Sequence, residues 1–192
     1  MKKNILIIDG HPRKNSFSDS WSTSYYEGAS KNFNVARISL RDLNFNPNLK
    51  NGYKVIQELE PDLIFAQKEM SQAHHIVIIT PIWWAGPPAL LKGFFDRVML
   101  PGYAFKYRPN SSLWDKLFKG KSGHLIVTSD GPSWWLQWLR GDSAIKMIKI
   151  GILDFIGVKP VKVTRYGEIN STANEKIIKY LKEGHKMGEK GI

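Results

Sequence analysis

The chain has 192 residues, of which 42% are hydrophobic, and this is enough for one domain with a sizeable core, residues 1–192. It contains no cysteine, so disulfides, thiolate metal sites and a cysteine nucleophile are excluded. The net charge is +11, but the basic residues are spread along the chain. This spread favours a surface that attracts small anions, phosphorylated cofactors included, over a nucleic-acid interface.

Five apolar runs predict β-strands, and a helical pattern follows each of them. The predicted strands are Asn4 to Asp9, Asn34 to Leu40, His75 to Thr80, His124 to Thr128 and Val161 to Arg165. The predicted helices span about residues 16–31, 63–73, 88–100, 142–157 and 172–185, with long irregular connections at 41–62 and 102–121. This alternation predicts an α/β fold with helices on both faces of a doubly wound, five-stranded parallel sheet.

Ligands of such sheets bind beyond the carboxyl ends of the strands, so the loops after the first, third and fourth strands are candidate site elements. The first loop leads into a helix that Ser16 or Ser18 is able to cap, with Arg13 and Lys14 beside it. The free N–H groups and positive dipole end of a helix favour an anion, which predicts a phosphate site. The alternative is a capped surface turn in which His11 is merely polar.

The second loop, Pro81 to Pro88, places Trp83 and Trp84 at the end of a buried strand. Consecutive side chains of an extended segment point in opposite directions, so the two indoles cannot both face the core. One of them is available as a wall against a flat ring. The alternative is that both pack on neighbouring loops or on a second subunit.

The third loop offers small polar residues and backbone N–H groups at Thr128, Ser129, Asp130 and Gly131, and a second Trp pair follows. Asp-Gly-Pro also simply makes turns, so this loop is weak evidence alone. Taken together, the three loops predict an anion site, an aromatic wall and a hydrogen-bonding edge. A flavin nucleotide meets those demands.

The chain carries no pattern typical of a membrane-spanning helix or a signal peptide. Its longest apolar stretch, Ile76 to Leu91, is interrupted by prolines and a glycine. Asp9 ends the first apolar run far short of the length that a signal peptide requires. A soluble, cytoplasmic protein is therefore expected, and no metal site is predicted.

The most specific stretches are residues 62–68, 73–80 and 81–98, and the last reads Pro-Ile-Trp-Trp-Ala-Gly-Pro-Pro-Ala-Leu-Leu-Lys-Gly-Phe-Phe-Asp-Arg-Val. It resembles the signature of the flavodoxin-like NAD(P)H:quinone oxidoreductases, and the resemblance covers most of the chain. It implies a flavodoxin-like fold with strand order 2-1-3-4-5. It also implies FAD, with FMN a close alternative, NAD(P)H as co-substrate, a quinone-like acceptor, a homodimer and ping-pong hydride transfer.

The resemblance further implies roles for individual residues. It implies flavin contacts for His11, Ser16, Phe17, Ser18, Gln67, Pro81, Ile82, Trp83, Trp84, Thr128, Ser129, Asp130 and Gly131. Phe105 and Tyr107 resemble aromatic residues that line the substrate pocket in this family, often across a dimer interface.

The chain departs from the family pattern at two predicted catalytic positions and within one loop. Where the mammalian enzymes place a Tyr and a His proposed to stabilise charge on the reduced flavin, alignment gives Trp134 and Arg140, which are the predicted catalytic residues. Arg140 is expected to neutralise the anionic reduced flavin electrostatically. The family's Thr-Thr-Gly-Gly loop is Thr-Ser-Asp-Gly here.

Two rival functions stay open at this point. One is a flavodoxin-type electron carrier without a nicotinamide pocket, against which stand the basic charge and the long aromatic connection at 102–121. The other is a regulatory role, since some bacterial relatives are ancillary subunits of potassium-efflux systems.

Overall fold

The computed structural model describes residues 2–138 and 141–192. Its strands are β1 (Asn4–Asp9), β2 (Asn34–Ser39), β3 (His75–Pro81), β4 (Phe105–Tyr107), β5 (Trp114–Lys116), β6 (Ser122–Thr128) and β7 (Val161–Tyr166). Five of them form a parallel sheet in the order β2-β1-β3-β6-β7. When these five are numbered alone, the order is the predicted 2-1-3-4-5, so the predicted topology is confirmed.

Helices cover both faces of this sheet. They are α1 (Phe17–Ser30), α2 (Pro61–Gln72), α3 (Ala89–Val98), α4 (Ser133–Trp138), α5 (Ser143–Lys146) and α6 (Asn174–Lys190). A π-helical segment, Met147–Asp154, continues α5. Core contacts place α1 and α6 on one face and α2, α3 and α5 with its continuation on the other. Over the described ranges, no helix has both the length and the apolar content that crossing a bilayer requires.

The connection at 102–121, predicted to be irregular, contains the antiparallel hairpin β4-β5. Each of its strands has three residues, which is too short for an alternating pattern to be recognised in the sequence. Tertiary contacts hold the hairpin. Trp114 stacks on Phe155 with 4.3 Å between ring centroids, and its Nε1–H donates to the Phe155 carbonyl at 2.9 Å. The short helix α4 is a second element that the sequence does not predict.

Glycines allow α1 and α6 to pack closely. A Cβ atom at Gly188 of α6 would lie 2.2 Å from the Tyr25 carbonyl oxygen of α1, and one at Gly28 would lie 2.1 Å from the His185 carbonyl oxygen. Both distances are below van der Waals contact, so only glycine fits at these two crossings. Because of these two glycines, α6 packs in direct backbone contact with α1.

Two histidines are buried near the amino ends of the central strands. His75 of β3 lies 2.8 Å from the Ser122 hydroxyl, and His124 of β6 lies 2.8 Å from the Thr164 hydroxyl. Burial lowers the pKa of His75 to about 3 and also lowers the pKa of His124. Both side chains are therefore neutral in the folded protein at neutral pH.

Candidate functional site

The loops after β1, β3 and β6 meet at the carboxyl edge of the sheet. Together with the residues after β7, they enclose a cleft of about 370 Å³. The cleft is lined by His11, Arg13, Ser16, Phe17, Ser18, Pro81, Ile82, Trp83, Thr128, Ser129, Asp130, Ile169 and Asn170. This location is where a doubly wound parallel sheet binds its ligand.

The amino terminus of α1 forms one end of the cleft. Ser16 caps the helix, since its side chain accepts the Asp19 amide at 3.2 Å. The first N–H groups of a helix have no acceptor within the helix and carry a partial positive charge. The Ser18 hydroxyl lines the same end, is only 1% exposed and has no hydrogen-bond partner in the structure. A buried hydroxyl without a partner is costly unless a ligand satisfies it, which suits a phosphate oxygen.

His11 lies beside this end of the cleft, where its ring is able to donate a hydrogen bond. Burial lowers the pKa of His11, so the ring is neutral at neutral pH. Its Nδ1 accepts the Arg13 amide at 3.0 Å, which leaves the proton on Nε2 in the neutral ring. The ring also packs edge-on against Trp83, with 5.7 Å between centroids. His11 therefore links the anion-binding end to the aromatic wall.

The aromatic wall is a tight turn after β3. The amides and carbonyls of Trp83 and Gly86 bond to each other reciprocally, at 2.8 and 2.9 Å. The two residues inside the turn, Trp84 and Ala85, both have positive φ, 50° and 61°, a conformation that costs free energy for residues with a side chain. The Ser143 hydroxyl donates to the Ala85 carbonyl at 2.8 Å and ties the turn to α5. Trp83 is thereby fixed along the cleft.

The loop after β6 also lines the cleft, through Thr128, Ser129 and Asp130. Its backbone is held by the Ser129 amide, which donates to the Tyr166 carbonyl at 3.0 Å, and by the Ser129 hydroxyl, which donates to the Gly131 carbonyl at 2.8 Å. The Ile82 amide donates to the Thr128 carbonyl at 2.8 Å, which joins this loop to the aromatic turn. The polar loop and the Trp83 wall thus face one cleft as a connected unit.

Most of the predicted flavin contacts line the cleft, and three do not. Gln67 is on α2, and its side-chain amide donates to the Val98 carbonyl at the end of α3 at 3.0 Å. Trp84 sits at the tip of its turn and is fully exposed. Gly131 is not part of the cleft lining, and its carbonyl accepts the Ser129 hydroxyl.

The predicted substrate residues lie in a different place from this cleft. Phe105 and Tyr107 line a second, apolar groove of about 320 Å³, together with side chains of α3 and of the helix that begins with α5. Of the two predicted catalytic residues, Trp134 is exposed on α4. Arg140 lies outside the described residues.

Sequence reasoning missed two residues of the lining and the side chains that support the first loop. Ile169 and Asn170 follow β7, and applying the strand-end rule to the fifth strand would have found them. Beneath the first loop, Arg41 bridges the buried carboxylate of Asp9 and that of Asp19. These ion pairs cannot be predicted from a local sequence pattern, because Arg41 is far from Asp9 and Asp19 in the sequence.

Comparison with known proteins gives a family for this chain. A family model described as a flavodoxin-like fold matches residues 3–186. Rat NAD(P)H dehydrogenase (quinone) 1 is 28% identical over 210 residues, which cover 96% of this chain and 75% of the rat protein. An uncharacterised NAD(P)H oxidoreductase of Haemophilus influenzae is 28% identical over 178 residues, covering 87% of this chain and 85% of that protein.

Solved structures agree with the fold. The crystal structure of Smu.1420 from Streptococcus mutans has a TM-score of 0.83 and 28% identity, over 97% of this chain and 99% of that one. The NAD(P)H:quinone oxidoreductase from Methanothermobacter marburgensis has a TM-score of 0.80 at 22% identity, over 98% of both chains, and supports the fold alone. The chain therefore belongs to the flavodoxin-like family of the NAD(P)H:quinone oxidoreductases, as its sequence resemblance predicts.

Proposed function

We propose that this protein is a flavin-dependent NAD(P)H:quinone oxidoreductase. The observation that carries the proposal is the chemistry of the cleft ends. A helix terminus and the unpartnered Ser18 hydroxyl suit a phosphate, while Trp83 and the loop after β6 suit a flat ring with polar edges. The names of the rat and Haemophilus relatives agree with this reading.

A bound flavin would supply two-electron hydride chemistry that no side chain of the chain offers. The overall reaction balances as NAD(P)H, a quinone and a proton giving NAD(P)⁺ and the hydroquinone. The protein's own contribution is to hold the phosphate at α1, to fix the ring against Trp83 and to offer one open face to both substrates in turn. This shared face is the basis for the ping-pong order that we propose.

For the cofactor, we retain FAD as the first candidate and FMN as the second. The resemblance of the first loop, from His11 to Ser18, to the family's phosphate loop favours FAD. FMN is supported by relatives named FMN-dependent NADH:quinone oxidoreductases. The mass of the yellow chromophore released from the purified protein distinguishes the two.

For charge stabilisation during the reaction, we propose Arg140 as a positive group near the reduced ring and Trp134 as its aromatic neighbour. Both roles rest on the alignment with the family's Tyr and His positions. Rapid-reaction measurement of flavin reduction in Arg140→Met tests the role of the charge. Unchanged reduction kinetics would remove Arg140 from the mechanism.

We also propose a homodimer that buries the apolar groove. Phe105 and Tyr107 line this groove. The loop before α2 also exposes two apolar side chains, Val55 and Ile56, and exposed apolar surface of this kind is typical of an interface. The family resemblance suggests that the β4-β5 hairpin of one subunit would lie near the substrate pocket of its partner, where Tyr107, which is 60% exposed, would be the available aromatic side chain. Sedimentation equilibrium measures the stoichiometry.

The deciding experiment is turnover by the reconstituted protein. We expect steady NADPH or NADH consumption with menadione, with parallel lines in double-reciprocal plots at several menadione concentrations. A flavin-loaded protein that leaves NAD(P)H unconsumed would instead be an electron carrier. A protein that binds neither FMN nor FAD would contradict the whole proposal.

A further inference from the structure

The loop that connects β1 to α1 is held from below by three charged side chains, which we call the loop brace: Asp9, Asp19 and Arg41. Asp9 ends β1 and is completely buried. Asp19 lies in the first turn of α1. Arg41 follows β2, the strand paired with β1, and its side chain is only 7% exposed.

Arg41 joins the two carboxylates to each other. Its Nη1 donates to Asp9 Oδ2 at 2.5 Å, and its Nη2 donates to Asp19 Oδ1 at 2.7 Å. The planar guanidinium presents its donors in a fixed fork, so one side chain sets the separation of both carboxylates. A lysine at this position would offer a single charged point and lose that geometry.

The two carboxylates in turn hold the loop backbone at two points. Asp9 Oδ1 accepts the His11 amide at 3.1 Å, and Asp19 Oδ2 accepts the Asn15 amide at 3.0 Å. Asn15 has a φ of 55°, in the left-handed region, so its conformation depends on such an anchor. These contacts give two loop amides internal acceptors and fix the backbone that leads into the first turn of α1.

The brace also settles a conflict of charge. Two carboxylates close to the helix terminus would repel a phosphate. Arg41 supplies one compensating positive charge, and Arg37, which pairs with Asp19, supplies the second. The four side chains are electrically neutral together. None of the brace residues belongs to the lining of the cleft, so they act on a ligand through the loop.

We propose that Arg41, through Asp9 and Asp19, is a positioning residue that sets the affinity of the site for the phosphate tail of the cofactor and leaves the affinity for the ring unchanged. The proposal rests on the proposed flavin function. FMN and riboflavin separate the two contributions, because they share the ring and the ribityl chain and differ only in the phosphate.

The test titrates flavin-free protein with FMN and with riboflavin and follows the quenching of flavin fluorescence. In Arg41→Met we expect the FMN dissociation constant to rise by about tenfold or more, while the riboflavin constant stays within about twofold of the wild type. Arg41→Lys, which keeps the charge, is expected to show a smaller FMN loss and covers the case in which Arg41→Met fails to fold. Lys182→Met removes an exposed positive charge of α6, away from the brace and from the hairpin, and is the control.

A second measurement needs no flavin. Amide hydrogen exchange of the peptide covering residues 10–16 should accelerate in the Arg41 variants, while that of residues 82–88 in the aromatic turn should not. Equal losses for FMN and riboflavin, or unchanged exchange in 10–16, would overturn the proposal. Wild-type protein that binds neither flavin would instead contradict the proposed function, with the exchange result still reporting on the brace.

Discussion

The guanidinium of Arg97 donates to both carboxylate oxygens of Glu60, at 3.2 and 2.8 Å, and reaches the backbone carbonyl of Glu58 at 2.8 Å. Arg97 lies on α3 and is completely buried, whereas Glu60 precedes α2. Burial alone would raise the pKa of Glu60, but the hydrogen bond from Arg97 leaves it below its ordinary value. The pair therefore fastens the long connection before α2 to the helix that follows the aromatic turn.

Removal of this pair's cation should destabilise the protein strongly. Arg97→Met leaves two backbone carbonyls without their donor and Glu60 with the Asn46 amide alone. Breaking a fully buried ion pair costs about 3–5 kcal/mol, and since the Glu60 side chain is 29% exposed, we expect a loss of about 2–3 kcal/mol. Urea denaturation measures the loss. Lys92→Met, which breaks the exposed Lys92–Asp96 pair on the same helix, is expected to cost less than about 1 kcal/mol. Equal losses in the two variants would contradict the role given to Arg97.

Ser18→Ala should separate cofactor binding from stability. The hydroxyl is buried without a protein partner, so its removal is expected to leave the free energy of unfolding unchanged or slightly higher. The flavin dissociation constant should rise by about tenfold, because a hydrogen bond to a charged phosphate is lost. Ser20→Ala, at an exposed position of the same helix, is the control for both measurements. An unchanged flavin affinity in Ser18→Ala would place the phosphate elsewhere.

Gly188→Ala should weaken the contact of α1 with α6. Its Cβ would meet the Tyr25 carbonyl oxygen at 2.2 Å, and the backbones would have to separate, at a cost of about 1–3 kcal/mol. Lys186→Ala changes an exposed position of the same helix to alanine and is expected to stay within about 0.5 kcal/mol of the wild type. Thermal unfolding of the two variants, measured side by side, checks the difference.

The stability of the protein should fall on acidification because of His75. Its pKa is lowered to about 3 by burial, with further contributions from Lys3, His124 and Lys162. In the unfolded chain His75 therefore becomes protonated below about pH 6.5, whereas in the folded chain it stays neutral until the pH approaches 3. The full stability is present above pH 6.5 and decreases as the pH falls towards 3, by about 2 kcal/mol at pH 5.

Denaturation curves of the wild type and His75→Gln over this pH range measure that dependence. The variant lacks the titrating ring and should show a shallower decrease. Some dependence should remain in the variant, because the pKa of His124 is lowered by burial as well. Identical slopes in the two proteins would exclude His75 as the cause.

The central sheet is readable from the sequence because its strands are short apolar runs separated by helices. The strand ends then locate the loops, and this is why Ser18, Trp83 and Thr128 are found in the cleft. The two mismatched elements, the hairpin β4-β5 and α4, are too short for periodicity to identify. Their structure depends on tertiary contacts such as the stacking of Trp114 on Phe155.

The ion pairs of Arg41 beneath the first loop could not be predicted from the sequence. Arg41 meets Asp9 only because β2 pairs with β1 in a register that sets Ser39 opposite Asp9. The sequence contains each residue but not that register. Family resemblance assigns Gln67 to the cofactor, and this stays a prediction. Within this chain its side-chain amide donates to the Val98 carbonyl.

The helix that begins at α5 touches both the aromatic turn and the apolar groove. Ser143 at its start bonds the Ala85 carbonyl, while Met147 and Ile152 further along line the groove. A second subunit bound in that groove would contact the same helix that holds the turn of Trp83 in place. Retention of the cofactor should then depend on protein concentration, with dilution loosening the flavin before the fold itself is affected.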